Sequence, residues 1–543
     1  MVLLAGLEPT IQRPKRCVIS ISPQERDSIV RYYRVYSKPV YYIPMSAIKL
    51  DLKKIPKEVS YVTEMLISSG FKAYLVGGCV RNLMLCKTPK DWDITTNAKP
   101  EEIMPLFKKT VYENIFGTVA VIHETAENSL RQIEVTPFRL EAGYSDNRHP
   151  DNIIFSDTLN DDLKRRDFTI NAMALDIKKD IEADDYRLID LFNGQNDIEK
   201  KLIRSVGDAN ERFKEDGLRL LRAIRLSCQL GFSIEKDTAI ALKNNAHLLK
   251  NISKERIREE FIKIIMSQHP MEGLLECAEA GILTFIIPEL EEGRGIDQNK
   301  AHSYTVLEHT LRTLQHAADK NYSLEVRLAA LFHDIGKPRA RRHSKEKKEW
   351  TFYGHDVVGA RMTEQALKNL KFPKQTIEPV IKLVRWHMFF SDTEQISLSA
   401  VRRMIVNVGK DHIWDLMNLR GCDRVGTGRP KENPYRLRKY KAMIEEALRD
   451  PITVGMLKIN GNDLISSLKI PAGPKIGLIL NALMEEVLED PKLNTEEYLT
   501  DKARQLMVLP EGELKKLSEK GKKKKDELEE EKKNEIKKKH WVQ

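Results

Sequence analysis

Three groups of residues have types and spacings that could do chemistry. The first opens with LVGGCVRN at 75–82 and continues with DWDIT at 91–95. Gly77 and Gly78 separate an apolar run that reads as a strand from a run that reads as a helix. Lacking side chains, they let backbone N–H groups approach a phosphate, and the helix N-terminus adds a positive field. Arg81, in the first turn of that helix, could pair with a triphosphate. A strand through Asp91 and Asp93 turns both carboxylates to one face and Trp92 and Ile94 into the core, because side chains alternate. Such a pair suits magnesium, which is held by a few carboxylates plus substrate phosphates. In RQIEVTPF at 131–138 the same alternation puts Gln132, Glu134 and Thr136 on one face. On a neighbouring strand, Glu134 would join the aspartates, and three carboxylates can hold two metal ions. Singly, a tight turn or an exposed Asp pair on an edge strand requires no ligand. The ordered set is far more specific.

The second group lies in FKEDGLRLLRAIRL, 213–226, which reads as one helix. Asp216 and Arg219 are three apart, hence surface neighbours, and a plain ion pair with a basic face accounts for them. They also have a chemical use. Cytosine and adenine each offer an exocyclic amine beside a ring-nitrogen acceptor. A carboxylate accepts from the amine while a guanidinium donates to the ring nitrogen. Uracil and guanine mismatch both contacts, and a buried mismatch discriminates strongly. The third group is dispersed: His309 in VLEHT, His333 and Asp334 in VRLAALFHDIGKP, His355 in YGHD, His387 in RWHM and Asp423 in RGCDR. A lone histidine is usually structural. Four with acidic neighbours point to a metal centre, and mixed imidazole and carboxylate ligands suit manganese, cobalt, nickel, iron or magnesium better than structural zinc.

The elements that must position these groups change character along the chain. Residues 57–70 have helical spacing closed by Gly70, and AYLV follows as a strand. Strand-like and helix-like runs alternate to about 180, giving a small α/β domain. From about 195 onward nearly every segment reads as helix, including 209–229, 254–267, 304–317, 324–334, 356–369 and 376–387. No fixed-period repeat is present. The end, EKGKKKKDELEEEKKNEIKKKHWVQ, is low-complexity and charged and reads as a solvated helix or disordered tail. Residues 1–44 carry no clear signal peptide and read as disordered, or as the product of a start codon assigned too early, with Met45 opening the natural first domain.

With 543 residues the chain can bury several cores, and its net charge of +10 favours a polyanionic partner. Six cysteines, at 17, 79, 86, 228, 277 and 422, form no CxxC pair and suit a reducing cytosol. No apolar run approaches the ~18 residues of a membrane span.

The segments LVGGCVRNLML and PKDWDITTNA resemble the signature of class II tRNA nucleotidyltransferases and bacterial poly(A) polymerases, within the polymerase-β superfamily. DDLKRRDFTINAMA, 161–174, matches that family's second motif over nearly its whole length. The resemblance implies that Arg166 and Asp167 contact the ribose and phosphates of the incoming nucleotide. It also implies that Asp190, Gly194 and Asp197 form a D-x-x-x-G-x-x-D joint. Glu215, Asp216 and Arg219 occupy the family's E-D-x-x-R positions. Arg222 and Arg225, further along the spiral, would reach base and triphosphate. Asn82 stands where the family usually has Asp, and Cys86 where Gly is common. The stretch EAGYSDNRHPDNIIFSDTLND, 141–161, has the full length of the mobile loop of CCA-adding members, which CC-adding relatives shorten. The histidine group resembles the HD phosphohydrolase superfamily. His309, His333, Asp334 and Asp423 match its core, and His355 and His387 match the extra positions of two-metal members. Some tRNA nucleotidyltransferases carry such a domain, and in some it hydrolyses phosphate esters, including 2′,3′-cyclic phosphates.

The expectation is an α/β nucleotidyltransferase head (55–185), a helical neck and body with the nucleotide-selecting motif (186–290), an HD domain (300–430) and a helical C-terminal region with a charged tail (431–543). The expected activity is magnesium-dependent addition of CCA to the tRNA 3′ acceptor end from CTP and ATP, in the cytoplasm and without a membrane. Asp91, Asp93 and Glu134 would be catalytic. A CC-adding, A-adding or poly(A)-forming relative shares these motifs, and a phosphohydrolase whose head only binds nucleotide is a further alternative.

Overall fold

The computed structural model describes residues 50, 52–112, 117–125, 127–142, 152–177, 186–298, 303–346, 349–389, 396–448, 456–468, 471, 473–510, 512–515 and 517. The expectations for 1–44, for residues 143–151 of the loop at 141–161 and for the final charged tail lie outside these residues.

Helix α1 (Lys57–Ser68) buries Val59, Val62 and Leu66 on one face and ends before Gly70, whose φ of +88° allows the reversal. The strands that follow are β1 (Ala73–Val76), β2 (Asp93–Thr96), β3 (Thr110–Tyr112), β4 (Val119–Ile122), β5 (Gln132–Pro137), β6 (Arg139–Ala142), β7 (Asn152–Phe155), β8 (Met173–Ile177) and β9 (Tyr186–Asp190). Seven form one sheet in the order β3-β4-β5-β2-β1-β8-β9, and β6 and β7 pair separately. The apolar AYLV run makes β1 an interior strand, flanked by β2 and β8, with Leu75 and Val76 wholly buried. Strand β5 alternates as its sequence predicts: Ile133 and Val135 are buried, Gln132 and Glu134 exposed. The β2–β5 pairing is parallel and sets Asp93 opposite Glu134. Helix α2 (Gly78–Met84) leaves β1 directly through Gly77.

Beyond the sheet the chain is mostly helical. The expected single helix over 213–226 is two: α3 (Ala209–Glu215) and α4 (Arg219–Leu230), parted at Asp216, where φ −141° and ψ 106° are extended. Gly217 marks the break: a side chain there would press on Leu248 and Ile252. Helix α4 buries Leu220, Leu221, Ala223 and Ile224, and Arg219, Arg222 and Arg225 recur at helical spacing on its other side. Helices α5 (Lys254–Ile265) and α6 (Pro270–Glu279) pack against it.

A second helical group follows: α7 (Val306–Asp319), α8 (Leu324–Phe332), α9 (His355–Asn369), α10 (Lys374–Trp386), α11 (Leu398–Val408) and α12 (Ile413–Gly426). Two short strands, β10 (Leu202–Ile203) and β11 (Ser233–Ile234), pair in parallel earlier in the chain, and between α8 and α9 lies a short antiparallel hairpin of β12 (Arg342–Ser344) and β13 (Glu349–Thr351). Helices α13 (Pro474–Glu489) and α14 (Glu496–Met507) build a further core around Ile479, Leu483, Val487 and Leu499. That core is tied to α11 by Arg402, which donates to the Leu488 carbonyl at 3.2 Å.

Candidate functional sites

The glycine turn forms the floor of the first site. Gly77 has φ +79°, and a Cβ there would come within 3.1 Å of Asp93 Oδ2 and 3.2 Å of Arg166 Nη1. The missing side chain is what lets carboxylate and guanidinium converge over the turn. Strand β2 begins at Asp93, so Asp91 lies in the bend before it rather than on the strand as expected; Trp92 and Ile94 are buried as expected. Asp91 is exposed and still close enough to Asp93 to act on its charge. Burial pushes the Asp93 carboxyl up, Arg166 pulls it back, and Asp91 pushes it further up. A carboxylate pair with unspent negative charge and one exposed member fits magnesium, which shares few protein ligands with substrate phosphates.

Behind this floor runs a chain of charge-assisted hydrogen bonds. Arg81 donates to Asn82 Oδ1 at 3.2 and 3.0 Å and to Asn171 Oδ1 at 2.6 Å. The residue that departs from the family pattern, Asn82, therefore still orients Arg81, as a neutral acceptor. Burial lowers the Arg81 pKa to about 10. Asn171 donates to Asp167 Oδ1 at 3.2 Å, and Arg222 donates twice to Asp167 Oδ2, at 2.8 and 2.6 Å. Burial alone would raise the Asp167 carboxyl, but Arg222 outweighs it and holds the group well below the carboxylate range. Arg166 is fixed by Asp162 at 3.1 Å, and Arg225 by Glu260 at 3.0 Å. Thus α4 docks on the head through Arg222 and Asp167.

The break at Asp216 changes how the second group is held. Asp216 and Arg219 do not pair with each other as an i,i+3 bridge. Asp216 accepts from Leu218 N at 3.0 Å, starting α4, and from Arg256 of α5 at 2.9 Å. Arg219 pairs with Glu215 and donates to the Arg212 carbonyl at 2.9 Å. Each member is held by its own partner, which can keep both rigid for a third group. Sequence reading missed Arg256, 40 positions away, and no local signal pointed to it. Asn171 and Asp162 were inside a quoted motif. In the joint motif, Asp190 accepts from the Gly194 and Gln195 N–H groups, and Asp197 accepts from Thr169 Oγ1 at 2.7 Å.

The histidine group closes completely. Among the described residues two three-ligand clusters have metal-binding geometry: His309, His333 and Asp423, and Asp334, His355 and His387. Asp334 faces both. Its Oδ2 is 3.2 Å from His309 Nε2 and 3.3 Å from His333 Nε2, and its Oδ1 is 3.3 Å from His355 Nε2 and 3.6 Å from His387 Nε2. His333, His355 and His387 each donate Nδ1–H to the carbonyl three residues earlier, at 2.9, 2.7 and 2.7 Å. That fixes the tautomer and turns Nε2 into the site. Gly336 permits the closure, since a Cβ there would collide with the His355 carbonyl and the Gly359 nitrogen. Sequence reading missed Lys337, whose Nζ lies 2.6 Å from Asp334 Oδ2, and Arg420, 2.7 Å from Asp423 Oδ2. Burial lowers the His387 pKa to about 4, with His333 and His355 adding to that against Asp334, whereas His333, which burial alone would lower, is raised to about 10 by Asp334 and Asp423; a metal ion would have to displace the His333 proton.

Residues 73–204 match the poly A polymerase head domain, 231–293 the probable RNA and SrmB-binding site of polymerase A, and 306–413 the HD domain. The last match stops short of Asp423, which α12 nevertheless delivers to the cluster. A CCA-adding enzyme of Lactiplantibacillus plantarum is 33% identical over 450 residues, spanning 82% of this chain and 94% of that one. The chain belongs to the CCA-adding enzyme family. The Lactobacillus helveticus CCA-adding enzyme is 47% identical over 213 residues, a span that covers only half of that relative. The solved CCA-adding enzyme of Bacillus stearothermophilus, in complex with CTP, superposes with a TM-score of 0.60 at 27% identity, over 83% of this chain and 99% of that one. Among the described residues no helix is long and apolar enough to cross a membrane.

Proposed function

We propose that this CCA-adding enzyme family member completes the 3′ end of tRNA, joining C, C and A from CTP and ATP and releasing pyrophosphate. The observation that carries this is the register that sets Glu134 beside Asp93 over the Gly77–Gly78 turn, with α4 locked to the same head through Arg222 and Asp167. In this reading the turn cradles the triphosphate through backbone N–H groups, and Arg166 and Arg81 neutralise it. Asp216 and Arg219 read the base edge, while Arg225 and Glu215 keep the reading helix in place. Asp91 and Asp93, with Glu134 beside them, would hold magnesium, which when bound promotes ionisation of the attacking hydroxyl and steadies the leaving pyrophosphate. The proposed division is a head at 55–185, neck and body at 186–290 and an HD domain at 300–430. We place the reaction in the cytosol.

The HD centre reads as a metal-dependent phosphohydrolase. His309, His333, Asp334 and Asp423 would hold one divalent ion, and Asp334, His355 and His387 a second; manganese, cobalt, nickel, iron or magnesium suits these donors. The test is extension of tRNA transcripts ending before CCA, after C, or after CC, with labelled CTP, ATP, UTP or GTP. C, C, A and arrest supports the reading. Addition of CC alone, of A alone, or of a long A ladder replaces it with another member of the same fold.

A further inference from the structure

The hairpin β12–β13 has no part in either reading above. Residues 339–353 contain six cations in sequence (Arg339, Arg341, Arg342, Lys345, Lys347 and Lys348) against Glu346 and Glu349; Arg339 is paired with Glu292, and Lys347 and Lys348 lie outside the described residues. A charge run alone is usually a solvated face. Here it is interleaved with large aromatics held out in solvent. Trp350 is 39% exposed and Tyr353 67%. The Arg341 guanidinium lies 3.9 Å over the Trp350 ring, and His343, its cross-strand partner, meets the same ring edge-on at 5.2 Å. Arg341 already covers one face of Trp350, so bases would stack on the exposed part of that ring and on Tyr353; exposed rings among cations are what single-stranded nucleic acid uses, the bases stacking and the cations taking phosphates. An acidic peptide would engage the cations and leave the aromatics without a role.

The hairpin also springs from the rim of the HD centre. It leaves through Lys337, which contacts Asp334, and returns through Phe352, whose carbonyl accepts from His355 Nδ1 at 2.7 Å. The Lys337 ammonium sits 5.9 Å from the Phe352 ring, joining the two roots. Its roots therefore touch ligands of the second metal cluster. We propose that the β12–β13 hairpin is a docking arm for single-stranded RNA, which delivers a phosphate-bearing RNA end to the HD centre. The delivery half rests on the phosphohydrolase reading; the binding half stands without it.

The test uses the full chain. A five-residue oligouridylate carrying 4-thiouridine is photo-cross-linked, and the adducts are mapped by mass spectrometry. Its affinity is then measured by fluorescence anisotropy for wild type, Arg341→Ala/Trp350→Ala and the conservative Trp350→Phe. The expected result is adducts within 341–353 and a loss of about tenfold or more in the double variant, with Trp350→Phe near wild type and CCA addition and melting temperature unchanged. Adducts confined to residues before 300, or unchanged affinity in the double variant, overturn the arm. Hydrolysis of 2′,3′-cyclic phosphates separates delivery from binding. The double variant should raise KM for an oligonucleotide ending in a cyclic phosphate and leave kcat/KM for the mononucleotide unchanged. Equal effects on both substrates, or none on either, overturn delivery. If neither substrate is hydrolysed by wild type, the phosphohydrolase reading and delivery fall together, and the adduct map still decides the arm.

Discussion

Arg256→Ala tests the base-reading mechanism where sequence alone would not look. The Asp216 carboxylate keeps its Leu218 N–H donor at 3.0 Å but loses Arg256, which reaches it at 2.9 and 3.4 Å. The two side chains are 17% and 25% exposed, so solvent partly screens the pair. Hydrogen bonds to charged groups contribute ~1.5–3 kcal/mol, and the exposure places this pair near the low end. A loosened Asp216 no longer accepts rigidly from the amine of cytosine, whereas uracil never used that contact. Selectivity for CTP over UTP should therefore fall about tenfold, the equivalent of ~1.4 kcal/mol. The assay is kcat/KM for single-nucleotide addition of each to tRNA lacking CCA. Arg256→Lys should retain part of the selectivity. If both nucleotides slow equally, Arg256 only supports the fold and the reasoning about Asp216 is refuted.

Cys86 occupies the left-handed region, φ +55°, where a side chain is strained, which accounts for glycine being common there. Cys86→Gly should raise head stability by ~0.5 kcal/mol, the strain relief less the added chain entropy, as read by urea unfolding. Glu276 on α6 has its pKa pushed up to about 8 by burial, against a hydrogen bond from Ser227, and its Oε2 is buried without a hydrogen-bond partner among the described residues. Because the folded value exceeds the ordinary 4.5, this carboxyl's stabilising contribution is full below pH 4.5 and is lost as pH rises through about 8. Glu276→Gln should remove that slope and gain on the order of 5 kcal/mol at pH 9, measured by melting between pH 5 and 9; parallel pH profiles would contradict it. His387→Ala should lower the bound metal by about one ion per chain by elemental analysis, with CCA addition unchanged.

The parts of the site that follow local rules were legible. Alternation put Glu134 on the exposed face of its strand, and the strand-Gly-Gly-helix order set α2. The six residues of the histidine group were singled out by their resemblance to the HD superfamily, since they are too dispersed for spacing alone to join them, and the structure brings them together. The break at Asp216 was missed because flanking residues have strong helical periodicity, and a packing demand at Gly217 against Leu248 overrides it. Strand β2 starts later than alternation implied, since only Asp93–Thr96 have partners on both sides. Arg256, Lys337 and Arg420 are visible only once distant segments meet.

The most direct test of the central claim is single-turnover CCA addition by Asp93→Asn, an isosteric change that removes the charge beside Glu134. The expected rate is lower by about a thousandfold or more, as for loss of a group stabilising the transition state directly, with melting temperature and HD metal content as in wild type. Addition at the wild-type rate would contradict it.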